Sequence, residues 1–487
     1  MNELKRLHVA AIFVTFLKGL RDLIFPILIS LFLGGTNNSG SFFRFEYVWL
    51  IILLFTFLYG IANWLTFRYR INNGDLYVQK GVFIKKKRYI QQQRVQSIDI
   101  TAGLFQRLFG LVMVKIETAG GGTEPEINLI AVSRREAEII RATLLFKKNN
   151  EGKSDVEDYL FQEASSPRTE VKWKLGNKRL FIAAMTSSGI GLTISAVAAL
   201  FSQIEQLIPE RIYERTIGLV TGSGFSFLLA LVLMILIIAW LVSMLGTMLK
   251  YGSFAIEKNG EELVVTRGLI EQRQLTLQEG KITAVRLVRN IFRQPFGYTS
   301  VYVESAGGGS NEEQLSTVLI PLVHERELLQ IFRTFLPHYQ LEATMVKAPQ
   351  RALLRFLIRN LIVPVLVTGL AIYFFSSYGF LGVILIGLMG GLALMQFRDA
   401  GSAWTEDFVW LRYRKLSQVT VIAPKRKIQA AELQESFFQR RRHLASFQIS
   451  ILSSIVGKSF RVRDLDSKRV EELLQWYSFK KKHDRTL

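Results

Sequence analysis

Cysteine is missing from all 487 residues. That absence excludes a disulfide framework, cysteine-ligated zinc or iron–sulfur centres and thiol catalysis. Histidine is nearly as scarce. His8, His324, His338, His443 and His483 stand far apart, without the spacing of a histidine metal site. No Walker A, G-x-S-x-G or H-E-x-x-H motif occurs, so the chain offers no catalytic signature and is not expected to be an enzyme or to hold a cofactor. Acid is in deficit too: 40 Asp+Glu against 61 Lys+Arg give a net charge of +21. What abounds is apolar. Hydrophobic residues make up 49% of the chain and Phe alone contributes 35, above the usual globular balance. Such a chain must alternate charged stretches with very apolar ones.

Six apolar runs have the length of about 20 residues that a bilayer-crossing helix needs. They are Val9–Leu33, Tyr47–Phe67, Leu180–Phe201, Ile217–Leu249, Ala352–Phe375 and Gly379–Phe397. The stretch Leu228–Leu245 has neither a charge nor a polar face, which argues against a buried helix of a soluble core. The runs come in pairs with short connections. Thr36–Glu46 balances Arg44 with Glu46, Gln203–Thr216 carries Glu205, Glu210 and Glu214 against Arg211 and Arg215, and Ser376–Tyr378 has no charge. The basic excess therefore lies nearly all on the other side. The positive-inside rule places both termini and every polar block in the cytoplasm, with three hairpins dipping outward. MNELKRLH leads into the first run without a small-residue cleavage site, so that run reads as an uncleaved helix.

A polar block follows each hairpin, and the blocks repeat. At one constant spacing, Gly81 matches Gly268, Gln91 matches Gln278, Val95 matches Ile282, Phe105 matches Phe292, and Glu117-Thr-Ala-Gly-Gly-Gly122 matches Glu304-Ser-Ala-Gly-Gly-Gly309. The third block matches over a shorter stretch, Arg94-Val95-Gln96 with Lys427-Ile428-Gln429 and Phe105-Gln106-Arg107 with Phe438-Gln439-Arg440, and lacks the glycine run. The hairpins repeat as well: Leu20-Arg21-Asp22-Leu23-Ile24-x-Pro26 is like Ile358-Arg359-Asn360-Leu361-Ile362-x-Pro364. One unit has been triplicated. The chain then divides into hairpin 1 (residues 1–69), block 1 (70–147), a flexible linker (148–179), hairpin 2 (180–250), block 2 (251–340), hairpin 3 (341–399), block 3 (400–478) and a basic tail (479–487).

Within the blocks the apolar residues alternate, as in Val112, Val114 and Ile116, Val301 and Val303, and Phe447, Ile449 and Ile451. Period two marks half-buried strands. Asn72-Asn73-Gly74-Asp75 and Lys258-Asn259-Gly260-Glu261 predict hairpin turns, since Asn-Gly accepts positive φ at little cost. Each block closes with an amphipathic helix. Ser133-x-x-Glu136 predicts a capping box, and Asp466 and His324 take the corresponding starts in blocks 3 and 2. The fold class is membrane helical hairpins plus small α+β, barrel-like modules.

A hairpin followed by strands, Arg94-Val95-Gln96-Ser97-Ile98, then Leu104-Phe105-Gln106-Arg107-Leu108-Phe109-Gly110, copied as Ile291-Phe292-Arg293-Gln294-Pro295-Phe296-Gly297, resembles the bacterial pleckstrin-homology-like family (bPH2 or DUF304 type) in its long three-unit members. The resemblance covers nearly the whole chain. It implies PH-like β-barrel or sandwich modules with a bent, roughly seven-stranded sheet and a C-terminal helix, and no enzymatic activity. It also implies a smaller single-unit PH-like membrane partner and, from relatives beside bacteriocin genes, a role in self-protection or peptide export.

Three sets of polar residues are candidates. Lys18, Arg21 and Asp22, and Arg355, Arg359 and Asn360, interrupt apolar helices, where a charge must be paired or solvated. Lys18 and Asp22 are spaced to pair on one helix face. These charges could serve helix packing or line a peptide or ion pathway. Lys85, Lys86, Lys87 and Arg88, with Lys425, Arg426 and Lys427 and Arg440, Arg441 and Arg442, could meet an anionic lipid surface or serve only as topology signals. The runs Gly120–Gly122 and Gly307–Gly309 lack the Lys and following helix of a phosphate loop and read as hairpin tips. No nucleic-acid signature accompanies the basic charge. Three services remain open: a binding or assembly scaffold in defence against antimicrobial peptides, a six-helix peptide or lipid transporter, and a lipid-sensing adaptor.

Overall fold

A computed structural model describes residues 4–33, 45–72, 74–118, 126–145, 171–187, 195, 225–305, 317–453 and 457–478. They fall into two units, one built mainly from residues up to Thr276 and the other from Leu277 onward.

The first unit opens with the helices α1 (Ala11–Leu33) and α2 (Phe45–Thr66). Strands β1 (Arg68–Asn72), β2 (Asp75–Lys80) and β3 (Lys86–Ile90) then form a three-stranded antiparallel sheet. Next come β4 (Val95–Ala102), the short helix α3 (Leu104–Leu108), β5 (Leu111–Thr118), β6 (Ile127–Ser133) and the closing helix α4 (Arg134–Leu145). After β7 (Val171–Lys174), α5 (Asn177–Met185) and the long apolar α6 (Phe225–Tyr251), the pattern restarts with β8 (Ala255–Asn259), β9 (Glu262–Arg267) and β10 (Gln272–Gln278). The sheet runs across the repeat boundary. Its seven strands lie in the order β6-β5-β4-β10-β9-β8-β7, so the later half of block 1 shares one sheet with the earlier half of block 2.

The second unit does the same one repeat later. It contains β11 (Ile282–Arg289), β12 (Tyr298–Ser305), β13 (Thr317–His324), α7 (Glu325–Phe335), β14 (Val346–Lys347), α8 (Leu353–Phe375), α9 (Gly382–Asp399), β15 (Gly401–Trp404), β16 (Phe408–Arg414) and β17 (Gln418–Pro424). Its seven-stranded sheet has the order β13-β12-β11-β17-β16-β15-β14. Strand β18 (Ile428–Gln434), helix α10 (Phe437–Arg440), strands β19 (Leu444–Ile451) and β20 (Lys458–Asp466) and helix α11 (Ser467–Ser478) finish block 3, the strands forming a sheet ordered β18-β19-β20.

The period-two residues point inward as their spacing requires: Val114, Ile116, Val301, Val303, Phe447 and Ile449 are fully buried. Helix faces complete the cores, Ile140 and Leu144 of α4 in block 1 and Val470 and Leu473 of α11 in block 3. The hairpin stems enter these cores, with Ala10 and Ala11 in block 1 and Ala352 and Phe356 in block 3. Trp64 Nε1 donates to the Leu7 carbonyl at 2.8 Å and ties the two stems of hairpin 1. The repeated Gly81 and Gly268 have φ of 115° and 100°, and a Cβ there would meet the backbone oxygen of Ile84 or Glu271 at 2.0 Å, so both turns demand glycine. The glycines of the two Asn-Gly pairs, Gly74 and Gly260, have positive φ, and Asn72 pairs with Asp75 across the first.

Four helices are long and apolar enough to cross a membrane among the described residues: Val48–Thr66, Ala230–Tyr251, Gln350–Phe374 and Gly379–Asp399. The first apolar run is a continuous helix that includes Pro26. Most of Leu180–Phe201, the start of the fourth run and both triple-glycine stretches lie outside the described residues. The linker differs from expectation at its end. Val171-Lys-Trp-Lys174 alternates like a strand, adds to β8 in antiparallel register and sets the Trp173 ring edge-on to Phe254.

Candidate functional site

Strand β20 alternates apolar residues inward, Phe460 and then Val462, so the next inward position falls on Asp464. Its carboxylate is 1% exposed and its φ is 60°. A buried carboxylate needs partners, and the stem of hairpin 3 supplies them. Arg355 Nε donates to Asp464 Oδ1 at 2.8 Å and Arg359 Nη1 to Oδ2 at 2.9 Å. The two arginines stand four apart on α8, one turn of one face, so a single acid can hold both. Gln439 Nε2 of α10 adds a third bond to Oδ1 at 2.8 Å. Immediately after Arg359, Asn360 Nδ2 donates to Gln396 Oε1 of α9 at 3.0 Å and links the two helices. Three residues that the sequence offered either for helix packing or as pathway lining are therefore bound to block 3 and to the neighbouring helix.

Hairpin 1 differs. The repeat partner of Asp464 is Ala131, so block 1 offers no acid at that place. Arg21 pairs instead with Asp22 at 3.5 Å, both largely exposed. The expected Lys18–Asp22 pairing across one turn gives way to this adjacent pair, and Lys18 is exposed.

The turn after the fourth strand of each block has a constant design. In block 1 the buried Gln106 accepts from the Gly103 N–H at 2.8 Å and donates to the Ile130 carbonyl at 3.0 Å. In block 2 Arg293 stands at that place and donates to the Pro321 carbonyl at 3.1 Å. In block 3 Gln439 accepts from the Ser436 N–H at 2.9 Å and reaches Ser446 and Asp464. The polar residue holds the turn down while its apolar neighbours face out. Phe105, Leu108, Phe109, Phe292, Phe296, Phe437 and Phe438 are all more than half exposed. These turns border the hairpin stems. Arg107 donates to the Leu269 carbonyl, and the Leu269 N–H donates to Leu249 near the end of α6. Gln294 accepts from Arg414, which also pairs with Asp399 at the end of α9, and Arg355 reaches Ser436 at 3.4 Å.

The model of the family described as "Bacterial PH domain" matches residues 13–148, 212–337 and 358–481. The chain belongs to the bacterial PH domain family. A UPF0699 transmembrane protein, YdbT of Bacillus subtilis (strain 168), is 35% identical over 491 residues, which cover 99% of this chain and 99% of that protein. No solved structure matches. Each family match begins inside or beside an apolar run and ends in or just after a closing helix, so hairpin and head recur together in this bacterial PH protein.

The basic candidates divide on its PH modules. Lys85, Lys86, Lys87 and Arg88 are exposed at the β2–β3 turn and along β3, with Arg88 donating to the Glu126 carbonyl at 3.0 Å. Arg440, Arg441 and Arg442 are exposed beside Phe437 and Phe438, and the Arg441 guanidinium lies 4.7 Å from the Phe437 ring centre. Arg426 is exposed as well. Lys425 instead donates to the Trp476 carbonyl, and Lys427 donates to the Gly280 carbonyl at 2.7 Å. Burial, then Arg426 beside it, pulls the Lys427 ammonium below the usual lysine range. Those two lysines serve the fold.

Among the buried acids that escaped the sequence reading, two more are paired with bases inside the sheets as Asp464 is paired at its strand. Glu304 is fully buried between Arg286 at 2.6 Å and Lys458 at 2.9 Å. Asp99 of β4 meets Arg273 of β10 at 2.7 Å, with side chains 3% and 13% exposed. All three acids sit within strands, among buried apolar neighbours, and a charge in such a stretch was the available signal.

Proposed function

We propose that this bacterial PH protein is a non-enzymatic integral membrane scaffold. Its modules lie on the cytoplasmic face of the plasma membrane and present binding and assembly surfaces. Its service is envelope defence against bacteriocin-type peptides, together with a smaller single-unit PH-like membrane protein. The observation that carries the scaffold is the Asp464 junction: the arginines of α8 are engaged with a head, which favours rigid attachment over a conducting path. The defence service and the partner rest on the family resemblance. Affinity purification from native membranes tests the partner, with a small PH-like protein expected in fixed ratio. Deleting the gene should sensitise cells to membrane-active peptides, and unchanged susceptibility would remove the defence reading. A six-helix transporter predicts instead that Arg21→Leu, Asp22→Leu or Arg359→Leu abolishes activity while assembly survives.

The exposed aromatic turns favour a second service, contact of the modules with lipid. Phe105, Phe109, Phe437 and Phe438 stand beside basic residues, the pairing found where a protein rests in a membrane interface. Phe105→Cys carrying a polarity-sensitive fluorophore, the sole label in a chain without other cysteine, should in lipid nanodiscs fluoresce to the blue and be quenched by lipids labelled near the headgroup. Emission typical of water would end this reading.

A further inference from the structure

Twice in this chain the fourth strand of one block pairs with the third strand of the next: β4 lies beside β10, and β11 beside β17. The same two kinds of edge recur at the ends of the series, β3 in block 1 and β18 in block 3. Among the described residues each is the outermost strand of its sheet. An outermost strand offers unpaired N–H and C=O groups to another chain. We propose that β18 of one copy pairs antiparallel with β3 of a second copy of this chain, making between molecules the joint that the chain makes twice within itself.

The internal joint supplies the register. Across β11 and β17, Val285 faces Ile422, Arg286 faces Val421, Leu287 faces Thr420, Val288 faces Val419 and Arg289 faces Gln418. The repeats can be exchanged without a slip. Leu76 faces Ile90 in block 1 as Val409 faces Ala423 in block 3, and Val285 faces Val303 in block 2 as Ala431 faces Ile449 in block 3. Transferred to the outer edges, that register sets Ala431 opposite Tyr89, Glu432 opposite Arg88, Leu433 opposite Lys87, Gln434 opposite Lys86 and Glu435 opposite Lys85. Both acids of the β18 side meet bases of the β3 side, one pair on each face of the joined sheet. The chain already contains a diagonal contact of this kind, equivalent to Glu432 with Lys86. Asp99 occupies in β4 the place Glu432 occupies in β18, Arg273 occupies in β10 the place of Lys86 in β3, and these two form the 2.7 Å pair across the first joint. Like edges would set base against base or acid against acid, so only the unlike pairing is favoured. The contact is heterologous, each copy offering β18 to one neighbour and β3 to another.

The absence of cysteine makes the test clean. Full-length Lys87→Cys and Leu433→Cys chains, reconstituted together and mildly oxidised, should give a disulfide-linked species of twice the monomer mass, and neither chain alone should. Moving one cysteine to Gln434→Cys should lower the yield several-fold. Glu432→Arg should abolish the link, and adding Lys86→Glu with Arg88→Glu to the other chain should restore it. The unaltered protein in detergent should hold more than one copy per micelle at low salt and fewer as salt rises. A strictly monomeric chain, an equal yield from the displaced cysteine, a link formed only inside a single chain carrying both Lys87→Cys and Leu433→Cys, or cross-links in native membranes only to a different protein would each overturn the proposal. It rests on the scaffold reading, and the two fail separately. A monomer that still co-purifies with a smaller PH-like protein ends self-pairing alone, whereas an oligomer without that protein ends the partner alone.

Discussion

Asp464 shows how one side chain can fix a helix to a folded head. Its carboxylate is nearly inaccessible, and Arg355, Arg359 and Gln439 all donate to it. Removing one partner of such a buried cluster strands the opposite charge, a loss of about 3–5 kcal/mol. Asp464→Ala should therefore lower the thermal unfolding midpoint of the purified protein markedly, and Asp464→Asn less. The triple change Asp464→Leu, Arg355→Leu and Arg359→Met, which removes charge from every side, should recover part of that loss. The same logic applies to Gln106, whose amide ties one turn to the middle of strand β6. Gln106→Leu leaves the Gly103 N–H and the Ile130 carbonyl without this partner and should cost about 1–3 kcal/mol in the same assay. Neither role could be read from sequence with certainty. Gln106 belongs to the repeated Phe-Gln-Arg string, but its partners lie on a strand whose path only the fold reveals. Asp464 left a trace, an acid at the inward step of an alternating strand, which competes with the simpler reading of a strand end.

Elements were more legible than sites. Strands with strict alternation, the Asn-Gly turns and the closing helices follow from period and turn chemistry. His324 caps α7, its Nδ1 accepting from the Arg326 N–H, and Asp466 accepts from the Lys468 N–H at the start of α11. The capping box at Ser133 forms by half: Ser133 accepts from the Glu136 N–H, while the Glu136 carboxylate pairs with Lys5 at 2.7 Å. A competing cation drew it away. The strand β7 was hidden by its polar setting, since Val171 and Trp173 are too few to announce a period. At this scale the exposed turns give the next expectation. Changing both Phe105 and Phe109 to Ser removes two large apolar side chains without touching Gln106. Thermal stability in detergent should change little, while depth-dependent quenching of a reporter beside that turn should fall in nanodiscs.

For the whole molecule, the triplication was readable because spacing alone reveals it, and the hairpins because hydropathy does. The sharing of sheets between consecutive blocks was not. Each block reads as a complete set of strands, and nothing in its period says which edge will meet which. The pair Asp99–Arg273 would have been the clue, one charge in each of two blocks, but a pairing across repeats is invisible until the strands are placed. A fragment ending at residue 147 keeps β4 and lacks β10, so its edge is bare. Such a fragment should self-associate or aggregate in size-exclusion chromatography at concentrations where the full chain does not. Reporter fusions after Phe67, Leu249 and Phe397 should all score as cytoplasmic, and a split result would overturn the proposed orientation.

The shared sheets also bear on how such a gene can lengthen. A tandem duplication of one hairpin and its head inserts, along with the new copy, both halves of the joint needed on either side of it. Recombination that cuts out half a copy instead leaves an orphaned strand with no mate. Growth by whole units is therefore structurally tolerated and growth by fragments penalised, whatever service the added copies come to perform.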